Sequence, residues 1–474
     1  MVYRQTTPSR LYWGVALAFA MSHTMEQASA EQPRRKPAAT SAAVSLSDQD
    51  PAGKVFPYTV AQRTLPNGLK VLVIPLESPG IVTYWSIVRT GSRDEVEPGR
   101  SGFAHFFEHM MFRGTKKYPG EVYDRIVTAM GADSNAYTTD DYTAYHMTLA
   151  KEDLEQAFEI ESDRFQNLSY SQQAFQTEAG AVFGEYRKSI TSPFALLDEK
   201  LRDIAYDVHT YKHTTIGFEA DIKAMPQAYD YSLDFFRRFY RPDNVVLLVA
   251  GDIQPDFVFA LVDKYYRNWK PGYEPPKVVP EPPQQAARQG EVSYPGQTLP
   301  ILQMSYKGDA FDPANADYVA AVLLGDLAFG ETSEIYQKLV LKEQTVQMLG
   351  AYTPMNRDQP LFDILAMVRD VKNIESVRAE IEQTLQRYQT EPPPVARLQE
   401  LKRHYRYAFL MGLDTPNAVA EELARPIALT GGVECVDRFY QAVERVTPGD
   451  VVRAARKYFL PERRTSIVLK GANS

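Results

Sequence analysis

Of the 474 residues, only Cys435 is a cysteine, so no disulfide can close within the chain and a small disulfide-stapled scaffold is excluded. No stretch reaches the roughly 18 uninterrupted apolar residues that a spanning helix needs, and none is expected in the mature chain. A basic surplus is missing too: 52 Lys and Arg stand against 60 Asp and Glu, net -8, with the basic residues scattered. That leaves no electrostatic footprint for nucleic acid. What the chain does have is 44% hydrophobic and 12% aromatic residues over a length that calls for two or more domains, each able to bury a sizeable core.

Arg4 and Arg10 precede an apolar run from Leu11 to Met21, and Ala28-Ser29-Ala30 follows. This is the layout of a secretory signal over residues 1–30, whose removal leaves Glu31 first. Export to a bacterial periplasm fits a chain without disulfides, and an uncleaved anchor is the lesser alternative. Residues 31–56, rich in Pro, Ala, Ser and charge, read as a flexible leader. Residues 271–300 carry eight prolines and read as an extended linker between a domain over 57–270 and another over 301–474. The two share an internal repeat: FYRP followed by VVLLVAG, from Phe239 to Gly251, recurs as YFLP followed by TSIVLKG, from Tyr458 to Gly471. Strand-like runs, among them LKVLVIPL after the Pro66-Asn67-Gly68 turn, alternate with helical stretches such as Val395 to Met411. An α+β fold is expected, with two homologous domains, each an antiparallel sheet with helices on one side, facing each other as a clam shell.

Chemistry concentrates in Ser101 to Phe112, SGFAHFFEHMMF, where His105, Glu108 and His109 have the spacing His-x-x-Glu-His. On a helix the three fall within an arc of about 100°, with Phe103, Phe106, Phe107 and Met110 as the apolar stripe that anchors it. Two imidazoles and a carboxylate over one spot suit a zinc site with a general base; two histidines merely packed on an amphipathic helix are the bland alternative. This motif order calls for a distal carboxylate from a later helix. Glu178 and Glu185, two turns apart on Ser171 to Ile190, are the candidates: one to bind metal, the other to orient a histidine. His146, His209 and His213 have no tight ligand spacing and read as structural or surface histidines, with lining of the cleft as the lesser alternative. The second half has no such motif, so one metal is expected.

The stretch GSRDEVEPGRSGFAHFFEHMMFRGT, the later Glu pair and YRPDNVVLLVAGD together resemble the pitrilysin/insulinase family of zinc metallopeptidases, in its two-domain processing-peptidase-like branch. The resemblance implies Zn²⁺ on His105, His109 and Glu185, Glu108 as catalytic base and Glu178 as a supporting acid. It implies that Asn135, Ala136, Tyr137 and Thr138 form an edge strand that hydrogen-bonds substrate backbone, for which an ordinary edge hairpin is the alternative. The expected function is an endopeptidase acting on peptides or unfolded segments inside an enclosed chamber. A non-catalytic peptide-binding or scaffold subunit of a metallopeptidase complex, and a zinc hydrolase of non-peptide amides, are the rivals. Fully equipped relatives carry an Arg and, seven residues later, a Tyr in the second domain. Alignment puts Val340 and Gln347 there, so either the alignment has slipped, other groups act, or a homologous partner subunit supplies the pair; a homodimer is the further possibility.

Overall fold

The computed structural model describes residues 54–472, and the signal over 1–30 and most of the leader lie outside them. Eleven strands form two sheets among the described residues. The first contains β1 (Ala61–Thr64), β2 (Lys70–Pro75), β3 (Ile81–Val88), β4 (Asp133–Thr138), β5 (Thr143–Ala150) and β6 (Val245–Gly251) in the order β1-β2-β6-β3-β5-β4. The second contains β7 (Arg288–Tyr294), β8 (Ile301–Lys307), β9 (Val346–Tyr352), β10 (Leu361–Val368) and β11 (Arg464–Gly471) in the order β7-β11-β8-β10-β9.

The helices of eight residues or more in the first half are α1 (Phe103–Met110), α2 (Gly120–Ala129), α3 (Leu154–Asn167), α4 (Gln172–Ser189), α5 (Pro193–Ala205), α6 (Tyr229–Phe239) and α7 (Pro255–Tyr266). Those of the second half are α8 (Ala316–Phe329), α9 (Ile374–Thr390), α10 (Val395–Met411), α11 (Pro416–Thr430), α12 (Glu434–Arg445) and α13 (Pro448–Tyr458).

The repeat read from the sequence is now geometric. Apart from β1, the strand orders match one for one, and β6 and β11, the two repeat segments, are in the same place in their sheets. Both are mostly buried, with apolar centres Val245–Ala250 and Ile467–Leu469, as strands covered on two faces require. Each pairs in parallel with one neighbour, β6 with β2 and β11 with β7. The sheets are therefore mixed, and the expectation of wholly antiparallel sheets is corrected.

Helices on one side only is corrected as well. Along β2, Val71 and Val73 pack into a core with α1, α3 and α7, while Leu72 and Ile74 point to the opposite face. There α11 of the second half lies across β3 and β6. Reciprocally, α5 of the first half covers β7 and β11, with Leu197 and Leu201 packed among Ile301, Leu365 and Ile467. The two halves thus face each other through exchanged helices and a continuous core.

Two boundaries also shift. Val55 and Phe56, assigned to the leader, are buried, and their amides donate to Asp437 on α12 at 2.6 and 2.9 Å. Seven residues of the proline-rich linker, Arg288–Tyr294, are β7, an edge strand of alternating half-buried and exposed residues. Its prolines stay outside the pairing, as the missing N–H demands. No helix among the described residues is long and apolar enough to cross a membrane.

Candidate metal centre

The helix α1 is built as its sequence demands: Phe103, Phe106, Phe107 and Met110 are buried, while His105, Glu108 and His109 are left half-buried on the other face. Phe107 stacks on Phe235 of α6 at 4.9 Å between ring centres, which fixes the roll of the helix. Its start depends on Gly102, held at φ +90°, where an added Cβ would meet the Ile216 carbonyl oxygen at 2.4 Å. Glu95 caps this start. Its buried carboxylate accepts from the amides of Gly102 at 2.7 Å and Ala104 at 2.6 Å, two of the donors a helix N-terminus leaves unpaired.

The helix α4 brings in the carboxylates, capped as expected by Ser171, whose Oγ accepts from the Ala174 amide at 3.1 Å. His105, His109 and Glu185 each offer a ligand atom within 4.8 Å of the others. Glu185 Oε2 stands 3.7 Å from His105 Nε2 and 3.4 Å from His109 Nε2. Glu178 lies one layer behind, 4% exposed, with Oε1 2.9 Å from His109 Nδ1 and Oε2 accepting from Arg113. A carboxylate at Nδ1 selects the tautomer that leaves the Nε2 lone pair for a cation. Burial pulls the His105 imidazole below the usual histidine range, favouring the neutral ring, and the His109 hydrogen bond holds Glu185 low, favouring the carboxylate. Two imidazoles and one carboxylate form a donor set of the catalytic zinc type, so these residues fit that metal.

Glu108 accepts from Thr138 Oγ1 at 2.8 Å, at the end of β4. That strand is the sheet edge, with β5 as its one neighbour. Ala136 is buried on the α1 side, while Tyr137 points the opposite way and its hydroxyl bonds Tyr142 at 3.0 Å. Asn135 Oδ1 accepts from the Ala136 amide at 2.9 Å. A cleft of about 660 Å³ opens beside His109, lined by Phe112, Arg113, Glu121 and Asp124.

Insulinase (Peptidase family M16) matches residues 71–219, which hold this cluster, and Peptidase M16 inactive domain matches 228–405. The chain belongs to the M16 peptidase family. Among M16 proteins it is similar to the zinc protease PqqE of Helicobacter pylori, 28% identical across 86% of this chain and 92% of that one. It is also similar to the mitochondrial-processing peptidase subunit beta of Saccharomyces cerevisiae, 24% identical across 86% and 90%. A crystal structure of a protease from Helicobacter pylori superposes with a TM-score of 0.81 at 28% identity, covering 87% of this chain and 99% of that one.

Other residues read from the sequence lie away from the cluster. Val340 packs against the second half's core and Gln347 is exposed on edge strand β9. His146 stacks on Trp85 at 4.3 Å on the sheet face opposite α1. His209 Nε2 is 3.0 Å from Asp358, and His213 is buried 3.8 Å from Glu95. The capping role of Glu95 escaped the sequence reading. Its one trace there is an acidic residue seven positions before a glycine that opens the motif helix.

Proposed function

We propose that this M16 protein is a zinc-dependent endopeptidase, with the ion on His105, His109 and Glu185. The observation that carries the proposal is the convergence of those three donors beside Glu108, under a strand at the edge of its sheet. Zinc held there would supply a Lewis acid for the scissile carbonyl and lower the pKa of the attacking water. Glu108 takes that water's proton and returns it to the leaving amine. The outer side of β4, from Asn135 to Thr138, pairs with the backbone of an extended substrate, which selects unfolded segments over folded ones.

Because the two halves of this chain share a core, the chamber is closed by a second unit, either a homologous partner that brings an Arg and Tyr or another copy of this chain. Val340 and Gln347 favour the partner, since Val offers no donor and Gln neither charge nor phenol. The Arg-flanked apolar run and the Ala28-Ser29-Ala30 site support export to a periplasm, which N-terminal sequencing of the mature protein tests by finding Glu31 first.

Glu108→Gln should keep its zinc and lose at least about 100-fold in turnover of a quenched peptide. A purely peptide-binding subunit would bind such a peptide and leave it uncut, with or without the substitution.

A further inference from the structure

We infer that Thr138 is a positioning residue for the general base, coupling the Glu108 carboxylate to the strand on which a peptide pairs. The inference rests on the peptidase reading above. Glu108 stands on α1 and is only half-buried, so helix packing alone does not fix its carboxylate. Thr138 Oγ1 donates to its Oε2 at 2.8 Å, a bond that restrains the carboxylate and leaves Oε1 to serve as the base. The donor is itself restrained, since a β-branched side chain in a strand has little χ1 freedom.

The backbone on either side of Thr138 is unequal. On its C-terminal side Asp140 accepts from Arg202 at 3.0 and 3.3 Å, and Asp141 accepts from Tyr211 Oη at 2.7 Å and the Arg357 amide at 3.2 Å. Residues of both halves therefore clamp the β4–β5 turn. On its N-terminal side β4 is the last strand of its sheet and pairs with β5 alone among the described strands. A peptide pairing along that edge removes the remaining freedom of the strand and, through the Thr138 hydroxyl, of the base. Substrate backbone contacts remote from the cut bond would then appear in kcat rather than in affinity.

The test compares Thr138→Val, isosteric without the hydroxyl, with Thr138→Ser, which restores it. Each variant is assayed for zinc content, for affinity toward an uncleavable reduced-bond peptide by fluorescence anisotropy, and for kcat and KM on cleavable peptides of increasing length. Thr138→Val should keep one zinc per chain and bind the uncleavable peptide within about twofold of wild type, while kcat falls about 10-fold or more. It should also lose the rise in kcat with peptide length, and Thr138→Ser should recover kcat to within about threefold. An unchanged kcat in Thr138→Val overturns the inference. So does a loss of peptide affinity that accounts for the whole effect, or a Thr138→Ser protein no better than the valine variant. A wild-type protein that cuts no peptide with zinc bound overturns the peptidase reading itself and this inference with it.

Discussion

Glu178 Oε1 lies 2.9 Å from Nδ1 of His109, so the imidazole that offers Nε2 to a cation is gripped from behind by a carboxylate that solvent hardly reaches. Removing the charge of Glu178 leaves Arg113 without its partner and weakens the grip. Glu178→Gln should lower zinc affinity about 10- to 100-fold, read by competition with a chelator. Excess zinc should return most of the activity, since no ligand and no base is lost.

Backbone geometry at Gly102 leaves no room for a side chain. Gly102→Ala puts a Cβ at φ +90° and within 2.4 Å of the Ile216 carbonyl oxygen. It should cost roughly 2 kcal/mol or more in urea denaturation. Alanine at Gly131, also at positive φ but with open space around its Cβ position, should cost less.

How much was legible follows from which interactions are local. The amphipathic stripe of α1, the Ser171 cap and the Val395–Met411 helix were readable because residues three and four apart dictate them. The repeat was readable because β6 and β11 keep the same apolar run after the same turn. The exchange of α5 and α11 was not, since an apolar stripe shows that a helix is covered without showing which sheet covers it. Glu95 and Thr138 were hidden likewise: each acts on a helix to which only the tertiary fold carries it.

Glu422 on α11 supplies a pH test. It is 4% exposed, its Oε2 has no hydrogen-bond partner among the described residues, and it borders a small cavity with Tyr405, Phe409 and Cys435. Burial, aided by the Glu421 carboxylate, pushes its carboxyl up to about 8. Unfolded, the group returns to about 4.3, so the folded state binds the extra proton between these values. Stability from this group is complete below the lower value and is lost as pH rises through the upper one. Glu422→Gln should therefore melt close to wild type near pH 5 and about 2 °C or more above it near pH 9.

Purified alone with zinc, the protein should cleave peptides slowly and speed up when a homologous chain carrying the Arg and Tyr is added. Full activity from this chain alone, with no rise on addition, rules that partnership out.

The reciprocal crossing of α5 and α11 leaves one face of each sheet to be covered by a helix of the other half. In thermodynamic terms the chain resembles an obligate dimer whose subunits have been spliced into one polypeptide. The splice replaces a bimolecular association with an internal one, at an effective concentration on the order of millimolar, so the assembled site survives any dilution the protein meets. A cut in the proline-rich crossing should accordingly give two fragments that migrate together under native conditions and separate only when both unfold.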